Sequence, residues 1–273
     1  MGFAEQEKSY SCGAASIKYA LTVLGLKVRE KELRRRTRTT RANGADENQL
    51  LKALPHFGCQ GTVREFRDFD TAYRALRRYS SHDIPSVLSV DKNDHWIAAV
   101  AFHVGKVGVI DPAGGEKPGF ISSQALKRRW GAPAEKYERN GHPHYFMIAI
   151  RRKRRRNIIG ARLGPEEMAR LSRNKELRNN WNDYREDLED IFGLRPSRSR
   201  QTEPAWKFIR DNAGNIAEVV AFWHRYTNKH SVLKQLRDFQ TVARALGLTL
   251  LPASRDWAFA SLVAALTLNL VGD

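Results

Sequence analysis

Gln6-Glu-Lys-Ser-Tyr-Ser-Cys12-Gly-Ala-Ala-Ser-Ile-Lys-Tyr-Ala-Leu-Thr-Val-Leu24-Gly25 decides the reading of this chain. Cys12 opens a predicted helix that runs to Leu24 and stops at Gly25. A thiol at a helix N-terminus sits among unpaired backbone N–H groups, at the positive end of the dipole. Both effects favour the thiolate, which is the nucleophilic form. A glutamine just upstream can place its amide N–H₂ where an oxyanion would form beside that thiolate. Cys12 and Gln6 are thus two parts of a cysteine acyl-transfer site. The other two parts are a base and a residue that orients it, and His95 and Asp111 are the candidates.

His95 and Asp111 lie in a stretch that reads as three strands, starting at Ile84-Pro85 and ending at Gly114-Gly115. Pro85–Val90 is the first strand, followed by a polar turn over Asp91–Asp94. His95–Phe102 is the second, Gly105-Lys106 marks a hairpin tip, and Val107–Ile110 returns. The midpoint between His95 and Asp111 is close to that tip, so both side chains fall near the open end of one hairpin. A carboxylate there can accept from the imidazole N–H and fix its tautomer, leaving the other ring nitrogen for Cys12.

In these residues the chain resembles the papain-like double-glycine leader peptidases. These cysteine peptidases often form the N-terminal domain of bacteriocin-exporting ABC transporters. The resemblance rests on Gln6 and Cys12-Gly13-Ala-Ala, on Gly44 before a Leu-rich helix, and on Phe57-Gly58 at the end of that helix. It continues through Ile84-Pro85-Ser-Val-Leu88, His95-Trp96-Ile97 and Val109-Ile110-Asp111-Pro112-Ala113-Gly114, and covers residues 1 to about 150 in order. It implies Cys12 as nucleophile, His95 as base, Asp111 as orienter and Gln6 as oxyanion donor. Ser11 departs from the pattern, since the family usually has an acidic residue before the cysteine. The architecture departs too: no transporter membrane domain and no ATPase motif follow.

Composition bounds the rest. The chain has 273 residues and 41% hydrophobic content, enough for one large domain or two modest ones. Two cysteines, Cys12 and Cys59, are too few for a disulfide framework, and Cys59 is expected to pack in the core. The N-terminus has no apolar h-region, and Gln6 stands where a myristoylation signal wants Ser or Thr. The longest apolar run, Trp257–Val271, is too short to span a bilayer. The expectation is a cytoplasmic protein without cofactor or metal.

The net charge is +17, from 47 Lys and Arg against 30 Asp and Glu. It is concentrated in Lys27–Arg41 and in the unbroken run Arg151–Arg156. Such runs can bind a polyanion by releasing its counterions. A solvated helix face and an interdomain linker are preferred here over a nucleic-acid or acidic-membrane contact, because no zinc-finger spacing or RNA-binding aromatic motif accompanies the charge.

The expected fold class is α+β: a papain-like domain with N-terminal helices packed on an antiparallel sheet, followed by an all-α region. The expected division is a peptidase domain over 1–150, a basic linker over 151–163 and a helical domain over 164–273. Within the first domain, Phe66–Tyr79 is predicted helical, and Ser122 or Ser123 caps a short helix through Trp130. Tyr145–Ile150 alternates like a last strand, and the neighbouring His142 and His144 read as a surface loop rather than a metal site. In the second half, Gly164-Pro165 opens one helix to about Phe192. Further helices cover about Pro204–Tyr226, weakened at Gly214, Ser231–Leu246, and Ser254–Val271, the last apolar on most faces and so expected to be buried.

Two function classes follow. One is a cysteine peptidase acting on a peptide or protein through a Cys12 thioester, a Gly-Gly-type leader being one such substrate. The alternative is a non-catalytic basic adaptor that binds peptide or nucleic acid.

Overall fold

A computed structural model describes residues 2–114, 117–131, 144–153, 160–193, 202–223 and 228–269. They divide into two compact units. The first holds a six-stranded sheet with its helices and continues through Gly160–Asn179; the second begins at Asn180. Among the described residues no helix is long and apolar enough to cross a membrane.

The first unit opens with α1 (Cys12–Val23), buried along its whole length from Gly13 onward. It is followed by α2 (Glu30–Thr37) and α3 (Glu47–Ala53). Asp46 and Gln49 form a reciprocal capping box at the start of α3. A 3-10 turn over Leu54–Phe57 ends at Gly58, whose left-handed φ of 67° suits glycine. Strand β1 (Cys59–Phe66) and helix α4 (Phe69–Ser80) come next. Strands β2 (Ser86–Val90), β3 (His95–His103), β4 (Lys106–Ile110) and β5 (Gly119–Ser122) lead to α5 (Ser123–Arg129), and β6 (Tyr145–Arg152) closes the sheet. The strand order is β1-β6-β2-β3-β4-β5, antiparallel throughout.

Period-two alternation divides the sheet's side chains between two cores. Val87, Trp96 and Ile148 face Ile17, Leu21, Leu33, Leu50 and Leu54. Their immediate neighbours Leu88, Ile97 and Met147 join Phe69, Leu76, Leu126 and Trp130 in the other core. The sheet is therefore sandwiched, with α1, α2 and α3 on one face and α4 and α5 on the other. Helix α6 (Pro165–Arg173) belongs to the same unit, where Ala161 donates its N–H to Val23 O and Phe3 to Arg178 O, both at 2.9 Å or less.

The second unit contains most of α7 (Lys175–Phe192), then β7 (Glu203–Pro204), α8 (Ala205–Trp223), α9 (Lys229–Leu246), β8 (Thr249–Leu250) and α10 (Arg255–Asn269). Its core includes Trp181, Leu188, Phe208, Ile216, Leu236, Phe239 and Leu262. Helix α8 runs through Gly214 without interruption, and Gly247, at φ 62°, ends α9 as expected.

Several expectations need correction. Helix α4 starts at Phe69 rather than Phe66, because the Asp68 carboxylate caps the Thr71 N–H at 2.8 Å. The hairpin tip is Val104-Gly105 rather than Gly105-Lys106, since both tip residues take the positive φ of a tight two-residue turn, 44° and 70°. The single helix expected from Gly164 to Phe192 is two. Asn174 breaks it with extended backbone, and its side chain accepts from Leu177 N–H at 3.0 Å to start α7. Helix α10 is not buried all round: Trp257 is 65% and Leu268 75% exposed. His144 is buried beside Glu65 of β1 rather than on a surface loop, because it directly precedes Tyr145, which pairs with Phe66 at the end of β1. His142, Arg154–Arg156, Val271 and the end expected for α8 near Tyr226 lie outside the described residues, while Arg151 and Arg152 are the last residues of β6.

Candidate active site

Cys12 begins α1, with Ser11 as the N-cap residue, so its backbone N–H is among those that no helical carbonyl satisfies. The thiol is partly exposed and unbridged, whereas Cys59 is buried and also free. Burial pushes the Cys59 thiol up to about 11, only partly opposed by the charge of Arg152.

α1 is seated tightly on β3. Gly13 allows the approach: a Cβ there would stand 3.1 Å from Leu50 Cδ2 and 3.3 Å from Trp96 Cδ1. One turn later, the Ser16 hydroxyl donates to the Trp96 carbonyl at 2.9 Å, and the Trp96 indole donates to Ala45 O at 3.1 Å. These contacts fix the residue next to His95 against the helix that carries Cys12.

His95 opens β3 and Asp111 directly follows β4. The imidazole Nε2 donates to Asp111 Oδ1 at 2.7 Å. The Cys12 side chain neighbours the ring and acts to raise its pKa, and since Asp111 occupies Nε2, the nitrogen left to face the thiol is Nδ1. A β-bulge between Ala99 and Ala101 makes this geometry. At the tip His103 faces Lys106, and that register continued unbroken would bring Asp111 opposite Ala98, on the other side of the ladder from His95. Past the bulge Ala98 faces Ile110, so Asp111 falls opposite Ile97, on the same side as His95.

Asp111 is 8% exposed and well provided with donors. Oδ1 also accepts from Ala113 N–H at 3.0 Å, and Oδ2 accepts from Arg129 at 3.0 Å. Arg129 in turn bonds both oxygens of Asp91, at 3.1 and 2.6 Å. Burial works to raise the Asp111 pKa, but the bond to His95, its charge, the Ala113 N–H and Arg129 together hold it below the usual carboxylate range. For His95, burial favours the neutral ring, yet the bond and charge of Asp111, together with the neighbouring Cys12, prevail and raise its pKa to about 9.

Gln6 reaches the same neighbourhood through its backbone, whose N–H donates to Pro112 O at 2.9 Å, one residue beyond Asp111. Its side-chain Oε1 is buried and has no hydrogen-bond partner among the described residues. The structure thus joins His95 and Asp111 by a side-chain bond, sets the Cys12 side chain near the ring, and brings Gln6 alongside through the main chain.

Sequence reading missed Ser16, the Trp96 indole and Arg129. Ser16 and Trp96 matter through one hydroxyl and one N–H, which no spacing rule marks. Arg129 looked like one of three cations ending α5. Among the described residues, no group of three or more His, Cys, Asp or Glu could hold a metal ion. An open groove of 670 Å³ lined by Arg64, Arg74, Arg78 and His82 involves none of the four candidate residues.

Residues 1–134 match the model of the Peptidase C39 family. Two solved structures are similar to about half of the chain. One is a double glycine motif protease from an AMS/PCAT transporter in complex with the leader peptide, at 18% identity and a TM-score of 0.38, covering 52% of this chain and 88% of that one. The other is the peptidase domain of Streptococcus ComA, a bi-functional ABC transporter involved in a quorum sensing pathway. It is 15% identical with a TM-score of 0.39, covering 52% of this chain and 95% of that one. No curated protein sequence matches the chain.

Proposed function

We propose that the first unit is a cysteine peptidase that cleaves a peptide or protein through a thioester on Cys12. One observation carries the reading: the His95 ring is bonded to Asp111 through Nε2 and neighbours the Cys12 side chain, with its pKa raised to about 9. At neutral pH that ring carries the proton an amine leaving group needs, beside the sulphur that attacks. The match of residues 1–134 to the Peptidase C39 family supports the same class.

The proposed steps use this chain's own groups. Cys12 Sγ bonds to the substrate carbonyl carbon, and the carbonyl electron pair moves onto oxygen. The Cys12 backbone N–H and the Gln6 amide meet that oxyanion. The Gln6 side-chain oxygen is buried without a partner among the described residues. As the C–N bond breaks, His95 gives its Nδ1 proton to the amine, which leaves. Water then attacks the thioester while His95 takes its proton, the C–S bond breaks, and the carboxylic acid departs. Asp111 holds the ring orientation throughout.

The substrate class we propose is a peptide with a Gly-Gly-type leader, as the resemblance of residues 1 to about 150 to the double-glycine leader peptidases implies. The proposed peptidase chemistry lies within residues 1–150 of the first unit, and the helices of the second unit have no assigned chemistry. The test is turnover of a peptidyl-Gly-Gly-aminomethylcoumarin, with labelling of Cys12 by a peptidyl-Gly-Gly chloromethyl ketone. Both should disappear in Cys12→Ala and His95→Ala, and Gln6→Ala should lower turnover by roughly one hundred-fold. Native protein that neither turns over nor labels refutes the reading and leaves the basic adaptor.

A further inference from the structure

A buried ion pair stands behind the segment that carries Gln6, and the steps proposed above do not use it. Glu30, first residue of α2, is 1% exposed, and Lys18 of α1 is 5% exposed. Lys18 Nζ lies 3.2 Å from Glu30 Oε2. Burial pushes the Lys18 pKa down, opposed by the charge and hydrogen bond of Glu30. Desolvating two charges costs enough that apolar residues in their place are often as stable. Stability therefore does not account for the pair, and its remaining contacts show what it holds.

Those contacts converge on residues 4–11, which have neither helix nor strand. Glu30 Oε1 accepts from Glu7 N–H at 2.9 Å and from the Ser11 hydroxyl at 2.6 Å. Lys18 Nζ donates to Ala4 O at 3.1 Å, and the Tyr19 hydroxyl donates to the same carbonyl at 2.7 Å. Ser11 is fully buried, and its hydroxyl also lies 2.8 Å from Lys8 O. Gln6 thus stands between two anchored residues, Ala4 and Glu7, and Ser11 anchors the step into Cys12. Without regular structure in the segment, these bonds, the Arg34–Glu7 ion pair at 2.6 Å and the bond from Gln6 N–H to Pro112 O decide where the Gln6 amide stands.

We infer that Glu30 is a positioning residue for the oxyanion donor: it holds Glu7 and Ser11 so that Gln6 stands beside Cys12. The inference rests on the peptidase reading. Glu30 then contributes to turnover, and not to substrate affinity or to the reactivity of the thiol, which depends on His95 and the helix terminus.

The test uses paired variants of the full chain, so that no buried charge is left alone. Glu30→Ala with Lys18→Met removes both acceptor bonds, while the Tyr19 hydroxyl still holds Ala4. Glu30→Gln with Lys18→Met keeps an oxygen that can accept from Glu7 and Ser11. Each is measured for melting temperature, for kcat and KM on the peptidyl-Gly-Gly-aminomethylcoumarin, and for the iodoacetamide rate at Cys12. The alanine pair should lower kcat by about ten-fold or more, with KM and the alkylation rate within about two-fold of wild type. The glutamine pair should recover most of the loss. Should the alanine pair fail to fold, Ser11→Ala removes one of the two contacts alone and should lower kcat by a smaller factor. Wild-type kcat in the folded alanine pair, or in Ser11→Ala where it stands in, overturns the inference. So does a loss of kcat matched by an equal loss of alkylation. Absence of turnover in the wild type instead refutes the peptidase reading, and this inference with it.

Discussion

Asp111→Asn tests the central bond of the site. The His95 pKa stands at about 9 against 6.5 for the free side chain. That difference separates the two protonation states by about 3 kcal/mol. Burial acts in the opposite direction, so Asp111 and Cys12 supply more than the net effect. The substitution removes the Asp111 charge but leaves burial and Cys12, so the His95 pKa should fall by about one unit or more. The fold should persist. Arg129 keeps both bonds to Asp91, and an asparagine oxygen can still accept from Ala113 N–H. If that oxygen still accepts from Nε2, the neutral tautomer is retained and the damage is confined to the charge; a rotated amide donates instead and forces the wrong tautomer. Either way kcat should drop, by about one hundred-fold or more in the rotated case. The assay is a pH titration of the His95 ring by proton–nitrogen correlation spectra in both proteins, with the alkaline limb of kcat beside it. A His95 titration still centred near pH 9 in Asp111→Asn would refute the assignment of that shift to Asp111.

The same shift makes stability depend on pH. A pKa raised on folding contributes stability that is complete below about 6.5 and is lost as pH rises through about 9; urea midpoints across that window should fall in the wild type and fall less in His95→Gln. Iodoacetamide should modify Cys12 and spare Cys59, whose thiol burial pushes up to about 11, and comparable rates by mass spectrometry in folded protein would count against the site. Gly13→Ala gains helix propensity of about 1 kcal/mol but forces Leu50 and Trp96 aside. It should lower the melting temperature and slow Cys12 labelling by the chloromethyl ketone, and a more stable, equally reactive variant would contradict the tight seat of α1 on β3. A fragment ending at residue 179 should be more stable to urea than one ending at 156, because Gly160–Asn179 packs within the first unit and supplies the carbonyl that accepts from Phe3 N–H.

Much of the site could be read from one dimension because its parts are local. Cys12 at a helix start, Cys59 at the head of a core strand, and the two strands ending at His95 and Asp111 each follow from short-range patterns: a helix stop at Gly25, alternation, and turn residues. Helix ends were harder where a side chain competes with the backbone. Asp68 and Asn174 both moved a boundary by accepting a main-chain N–H, a choice that depends on a single rotamer. The exposure of Trp257 and Leu268 was illegible for a different reason, since an apolar helix face is buried only if another element arrives to cover it.

The sequence by itself determined the residue types, their order, and which end of a hairpin His95 and Asp111 would share. It could not determine the side of the ladder. Strand side chains alternate with a period of two, so one extra residue reverses every later pairing, and only the bulge between Ala99 and Ala101 sets Asp111 on the side of His95. Nor could it join Glu30 and Lys18 to the loop before Cys12. Those contacts link residues as far as 23 positions apart, and they exist because the middle of α1 and the start of α2 pack around a segment with no helix or strand of its own. Local propensity acts over a few residues, whereas buried backbone groups must find partners wherever packing brings them.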